Sequence, residues 1–158
     1  MKQKKNIIKK FPIKINSNGE WLYKNNLIQR KALIKLFSSV LVSDNKGKFY
    51  LETPAEKGEI EVEDAPFVIT SFKIKKKLSK KQEIIFVTNI DQEIVLSKTN
   101  PLIFIKKNKN HIPYVIIKKN INAKILRAVY YQLINKFLVK GIKKNLIIKS
   151  KGYEIILK

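Results

Sequence analysis

Helical spacing of apolar residues occurs at two places in this chain of 158 residues. Most of the remainder alternates apolar with polar. Leu33, Leu36, Phe37, Val40 and Leu41 fall three and four apart, which predicts a helix near 27–42. Ile125, Tyr130, Leu133, Ile134, Phe137 and Leu138 predict a second helix near 124–139. Asn26 with Gln29 resembles a capping box for the first helix, and Ser43–Gly47 carries the turn chemistry that ends it.

The alternating segments read as strands separated by turns. Phe11–Ile15 and Glu20–Tyr23 flank Asn16–Gly19, and Lys48–Thr53 and Gly58–Glu63 flank Pro54–Lys57. Phe67–Lys76 with Glu83–Thr88, Pro101–Lys106 with Ile112–Lys118, and Asn145–Ser150 with Tyr153–Leu157 read as three hairpins. The pattern predicts an α+β protein, mostly antiparallel sheet with two packed helices. Residues 1–10 read as a flexible basic arm.

A faint internal repeat runs through the chain. At one fixed offset Asn25 matches Asn122, Ile28 matches Ile125, Arg30 matches Arg127, Leu36 matches Leu133, Leu41 matches Leu138 and Val42 matches Val139. Each helix is followed by strand, hydroxyl residue, glycine and strand, which predicts duplication of a helix-strand-strand unit. The expected domains are an N-terminal repeat at 11–65 and a C-terminal repeat at 66–158.

Arg30 and Arg127 are the chain's two arginines among 34 basic residues. The abundance of Lys, Ile and Asn points to adenine/thymine-rich codons that drift toward lysine wherever lysine serves. Two surviving arginines mark positions suited to a planar, five-donor guanidinium. Arg30 shares a helical stripe with Leu33, Phe37 and Val40, and Arg127 shares one with Tyr130, Ile134 and Phe137, so both are expected to face inward. Burial and the positive end of a helix both disfavour a cation, so each should meet a sheltered anion. Six of the twelve acidic residues lie between Glu52 and Asp64, and Glu59, Glu61 and Glu63 alternate with apolar residues. One expectation is therefore that the arginines lock helix to acidic strand. The other is that one of them meets a phosphate or carboxylate of a ligand.

The net charge of +22 invites a nucleic-acid reading. Lysine is spread along the whole chain, however, and sequence-specific readers lean on arginine. Weak, salt-sensitive binding to nucleic acid or an anionic surface is what charge alone predicts. The absence of cysteine excludes disulfides, thiolate metal sites and a cysteine nucleophile, and fits a reducing cytoplasm. No apolar run approaches the ~20 residues that span a bilayer. His111 stands alone, in a segment that reads as a turn, so neither a histidine-rich metal site nor a Ser-His-Asp triad can be built. The expectation is no metal, no cofactor and no enzyme. Trp21, Tyr23, Tyr114, Tyr130 and Tyr131 could stack on a base, with core packing as the default, and Tyr131 is the better candidate for a cleft.

Thr53-Pro-Ala-Glu-Lys57 and Ile60-Glu-Val-Glu-Asp-Ala-Pro-Phe67 resemble a bacterial family catalogued as domain of unknown function 1285. Trp21–Tyr23, Ile28–Phe37, Thr88–Asn89, Pro101–Leu102, Pro113–Val115 and Val129–Tyr131 fit the same pattern. The resemblance implies a duplicated core, a second half similar to pleckstrin-homology folds, a nucleotide-like ligand at the domain interface and a role in signal transduction. The candidate site residues are then Arg30, Arg127, Tyr131, Glu56, Lys57, Glu63, Asp64, Thr53 and Asn89. Two departures stand out. Ala128 occupies a position where the family commonly has proline, and Lys149–Gly152 replaces a Trp-Ser-Gly-Gly-like turn.

Overall fold

The structure is a computed structural model that describes residues 8–138 and 146–157. The chain divides into two compact units after Pro66, with the short segment Lys119–Ile121 counting with the first. The first unit contains β1 (Ile8–Ile15), β2 (Trp21–Tyr23), β3 (Asn26–Leu27), α1 (Lys31–Ser39), β4 (Leu41–Ser43), β5 (Phe49–Glu52) and β6 (Lys57–Val62). These strands form one sheet in the order β3-β2-β1-β6-β5-β4.

Local chemistry sets its turns. Between β1 and β2 the Asn16 carboxamide oxygen accepts from the Asn18 and Glu20 amides, each at 3.0 Å, and Gly19 takes φ +78°. Between β4 and β5 the Asp44 carboxylate accepts from the Lys46 and Lys48 amides, each at 2.9 Å. Lys24 and Asn25 both adopt left-handed φ, as the two-residue β2–β3 hairpin requires.

The second unit contains β7 (Phe67–Lys75), β8 (Glu83–Thr88), β9 (Glu93–Val95), β10 (Leu102–Lys107), β11 (Asn110–Lys118), β12 (Ile121–Ile125), α2 (Arg127–Phe137), β13 (Leu146–Ser150) and β14 (Tyr153–Leu157). Its main sheet runs β10-β11-β12-β7-β8-β9, and β13 and β14 form a separate antiparallel pair. Read from its other edge, this sheet repeats the first strand for strand. Each is two three-stranded meanders joined where the first strand pairs in parallel with the sixth: β1 with β6, and β7 with β12.

The protein is therefore α+β, with two helices among the described residues and two similar six-stranded sheets. The repeat lies at a larger scale than the helix-strand-strand unit. A hairpin does follow each helix, β4–β5 after α1 and β13–β14 after α2. Yet α1 sits between the third and fourth strands of its sheet, whereas α2 follows the sixth. Arg30 and Arg127, matched by sequence offset, hold different places in the sheet repeat.

Both helices are shorter than their spacing predicts. Asn26 and Leu27 turn back into β3, and Leu41 and Val42 pair with Leu51 and Tyr50 of β5. Strand pairing prevails over helical periodicity there, and Val40-Leu41-Val42 is rich in the branched residues that suit a sheet. The Asn26–Gln29 capping box does not form, because Arg30 is the N-cap and supplies no side-chain cap. Residues 124 and 125 belong to β12, held by Ala123 opposite Phe67 and Ile125 opposite Ile69. Ile8, Lys9 and Lys10, expected in a flexible arm, pair with Lys57, Gly58 and Glu59. The rest of that arm, the match at Val139 and the Asn145 end of the last hairpin lie outside the described residues. His111 lies in β11 opposite Lys106, so the turn is confined to Asn108 and Lys109.

The first unit's core is built from Ile13, Ile15, Trp21, Leu41, Tyr50, Leu51 and Ile60. Helix α1 buries no residue fully; it closes the core by stacking Phe37 on Trp21 at 6.1 Å. In the second unit α2 packs Val129, Tyr130 and Leu133 inward, beside β7 and β13. Between Lys10 and Lys14, β1 bulges away from β6, and the Phe11 ring swings over Gly58. A Cβ at Gly58 would overlap that ring. Gly58→Ala is expected to destabilise the fold by about 1–3 kcal/mol through overpacking. A Gly58→Ala/Phe11→Leu double variant is expected to recover part of that loss. Urea denaturation of the three proteins measures both effects.

Candidate functional site

The two arginines show what they do not do. Arg30 has extended backbone (φ −75°, ψ 103°) and gives its carbonyl to the Leu33 and Ile34 amides. Its side chain is exposed and makes no ion pair among the described residues. The helix begins after Arg30, so the Leu33–Phe37 stripe never extends back to turn it inward. Arg127 is the first residue of α2 and is also exposed. Its Nε donates to the Tyr131 hydroxyl at 3.2 Å, and its guanidinium lies 5.5 Å from that ring's centre. Positions 127 and 131 share one helix face, while Val129, Tyr130 and Leu133 take the buried one. The expected lock between arginine and acidic strand is absent on both counts.

Lysine takes that role instead. Lys14 Nζ meets Glu63 at 2.9 Å and Glu61 at 3.9 Å, Lys48 meets Glu59 at 3.9 Å, and Lys9 meets Glu56 at 3.0 Å. The second Glu63 oxygen accepts the Ser17 amide at 2.8 Å. Glu63 is thereby held below the usual carboxylate range, first by the Lys14 hydrogen bond and then by the Ser17 amide. Lys14 is raised in turn, chiefly by Glu63.

The other candidates in the acidic segment serve the strands as well. The Thr53 hydroxyl accepts the Glu56 amide at 3.1 Å and the Thr53 amide donates to the Glu56 carbonyl at 2.8 Å, closing the β5–β6 turn. The Lys57 ammonium stands 4.6 Å from the centre of the Tyr50 ring. Asn89 exchanges bonds with Val68: its amide donates at 2.9 Å, and its side-chain oxygen accepts at 3.3 Å. Asp64 is half-buried and engaged. Arg30, Thr53, Glu56, Lys57, Glu63 and Asp64 fall in the first unit, and Asn89, Arg127 and Tyr131 in the second. The contacts bring together Thr53 with Glu56 and Arg127 with Tyr131, but not Arg30 with any of the acidic residues.

What Arg30 does overlook is a hollow of about 490 Å³, shared with Lys31, Ala32, Leu33 and Leu36. Leu33 also lines a neighbouring apolar hollow of about 350 Å³ with Tyr23, Asn26, Leu27, Ile28 and Phe37. Leu36, one of the apolar positions that predict the helix, is 61% exposed, and Tyr23 and Leu27 are about half exposed. The available signal was Leu27-Ile28 beside the Lys24–Asn25 turn, an apolar pair too close to a reversal to lie inside a helix. The described residues hold no group of three His, Asp or Glu able to bind a metal.

The lowered carboxyls fix a pH dependence. Glu63 and Asp44 both have folded pKa values below their unfolded ones; Asp44 is lowered chiefly by the Lys48 amide. Their contribution is therefore present above the unfolded pKa and lost as pH falls through the folded one. The urea midpoint is expected to drop as pH falls from about 5 to about 3. Glu63→Gln should be less stable than the parent at neutral pH and should lose less on acidification. Urea titrations at four pH values measure both slopes.

Comparison with known proteins places these elements in a family. No curated protein matches the chain. The crystal structure of a DUF1285 family protein from Silicibacter pomeroyi DSS-3 superposes with a TM-score of 0.81 at 29% identity, covering 94% of this chain and 80% of its own. A DUF1285 family protein from Shewanella baltica OS155 superposes with a TM-score of 0.61 at 25% identity, covering 80% of this chain and 93% of its own. The N-terminal domain of the DUF1285 family, a domain of unknown function, matches residues 4–65, and its C-terminal domain matches residues 66–156. Both halves matching in order and nearly end to end, the chain belongs to the DUF1285 family.

Proposed function

We propose that the protein is a non-enzymatic, ligand-binding regulatory protein of the cytoplasm, acting in signal transduction, and that its ligand is a small nucleotide-like anion held at Arg30. The observation that carries this reading is the Arg30 guanidinium, exposed at the start of α1 with no carboxylate on it among the described residues. The first turn of α1 contains no acidic residue and no side-chain cap, so the local field favours an anion. The adjoining apolar hollow with Tyr23 and Phe37 offers a flat, greasy surface for a ring. Arg127, already bound to Tyr131, keeps its remaining donors for an anionic group on the second unit. That unit, a six-stranded sheet followed by a helix, is read within this proposal as pleckstrin-homology-like.

A thermal-shift panel of mono-, di- and triphosphate nucleotides tests the reading. At ~100 times its dissociation constant a true ligand adds about 2.7 kcal/mol of stability. For a chain of this size each kcal/mol raises the midpoint by roughly 2–4 °C. Arg30→Lys is expected to cut affinity about tenfold or more, because an ammonium cannot present the guanidinium fork. No shift with any nucleotide at millimolar concentration sinks the proposal. So does an Arg30→Lys variant that binds like the parent.

A further inference from the structure

A feature of the second unit, separate from Arg30 and independent of that reading, carries an excess of positive charge. The β7–β8 loop and the β13–β14 turn together enclose a hollow of about 540 Å³. Its lining is Lys75, Lys76, Lys80, Lys81 and Lys151, with Glu83 and Gly152. Lysine fills about a fifth of the chain and five of the seven positions here. Four of them come from the run 75–81 and the fifth from the β13–β14 turn. None of the five ammonium groups makes an ion pair among the described residues. The hollow over the β1 bulge differs: Lys10, Lys14 and Lys24 face Glu59 and Glu61, and Lys14 is paired.

The two segments that carry these lysines are bolted together. Gln82, 7% exposed, accepts the Leu78 amide on its side-chain oxygen at 2.8 Å and donates from its side-chain nitrogen to the Lys149 carbonyl at 2.6 Å. Its own carbonyl accepts the Lys151 amide at 2.9 Å. Ser150, fully buried, accepts the Ile84 amide at 2.8 Å. Within the loop Ser79 bonds the Lys76 carbonyl and the Lys81 amide. Five like charges are thus carried on a fixed backbone around a concave space. An anion of high charge density placed there meets several of these cations at once.

We propose that this hollow is a binding site for a compact polyphosphate, several phosphates close together on one small scaffold. Ammonium groups are point charges that read charge density, not the planar fork geometry that guanidinium reads. No aromatic side chain lines the hollow, so nothing in it stacks on a base. A single-stranded nucleic acid would use such stacking and a long groove, and this site offers neither. The turn Lys149–Gly152 supplies Lys151 and the Gln82 contacts.

The test is calorimetric titration of the full chain with inorganic tripolyphosphate at low salt. Saturable binding with one molecule per chain is expected. Lys81→Gln/Lys151→Gln should weaken it about tenfold or more, and the equal charge loss in Lys106→Gln/Lys109→Gln, on the β10–β11 hairpin, less than about twofold. Unliganded melting midpoints of both variants serve as the folding control. A co-sedimentation arm with vesicles carrying a multiply phosphorylated headgroup lipid identifies the source. Pelleting that the first pair abolishes assigns the phosphates to a lipid surface, and its absence assigns them to solution. Equal losses from the two pairs, or no saturable binding, overturn the proposal. A twenty-nucleotide single strand that binds more tightly per phosphate than tripolyphosphate overturns it too.

Discussion

Each sheet is closed at its centre by a parallel pair, β1 beside β6 and β7 beside β12. The antiparallel meanders on either side form between sequence neighbours joined by short turns. The parallel pairs join strands separated by most of a unit, so loop-closure entropy must be met before they form. The two meanders of each sheet meet only at this pair. Ile15 and Ile60 approach only when β1 lies against β6, and Ile69 and Ile125 only when β7 lies against β12. Helix α2 follows β12 and packs beside β7, so Val129 and Leu133 have an apolar face to cover once that pair is in register.

Sequence patterning carried the local part of this architecture and missed the long-range part, for a physical reason. Alternation at Phe11–Ile15 or Phe67–Lys75 reports which face is buried, not which strand lies alongside. The turns at Asn16–Gly19 and Lys151–Gly152 were legible because they rest on side chains and glycine a few residues apart. Leu41 and Val42 read as helix because their spacing continues that of Leu33 and Phe37, and only the presence of β5 diverts them into strand. Lys124 and Ile125 are the same case, diverted by β7. The large repeat was hidden because helix-to-helix matching brings out a similarity that cuts across the sheets.

Site legibility divides along the same line. That arginine was worth following could be read from its rarity, but its orientation depended on where each helix starts, a matter of one or two residues. Arg30 as N-cap and Arg127 as first helical residue both fall short of the buried stripe. The acidic segment was recognised as paired, with the wrong partners: Lys14, Lys48 and Lys9 were closer than either arginine. The family motifs at Thr53, Glu63 and Asn89 turned out to fasten turns and strand ends. The lysines of the β7–β8 loop, by contrast, looked like ordinary solvated charge. The run at 75–81 is lysine-rich in the sequence itself, and what the fold adds is Lys151, from a hairpin about seventy residues on.

The β1–β6 pair also sets how the first unit responds to tension. In an antiparallel neighbour pair a pull on the free ends peels bonds one at a time. Here β1 enters at one end of the sheet and β6 leaves at the other, so a pull on the unit's two termini slides these strands past each other along their length. All the bonds between them share the load together and must fail together. The bulge at Phe11–Ile13, with its ring seated over Gly58, adds a step that the sliding strand must climb. The first unit is thus built as a shear clamp, its first and last strands lying side by side.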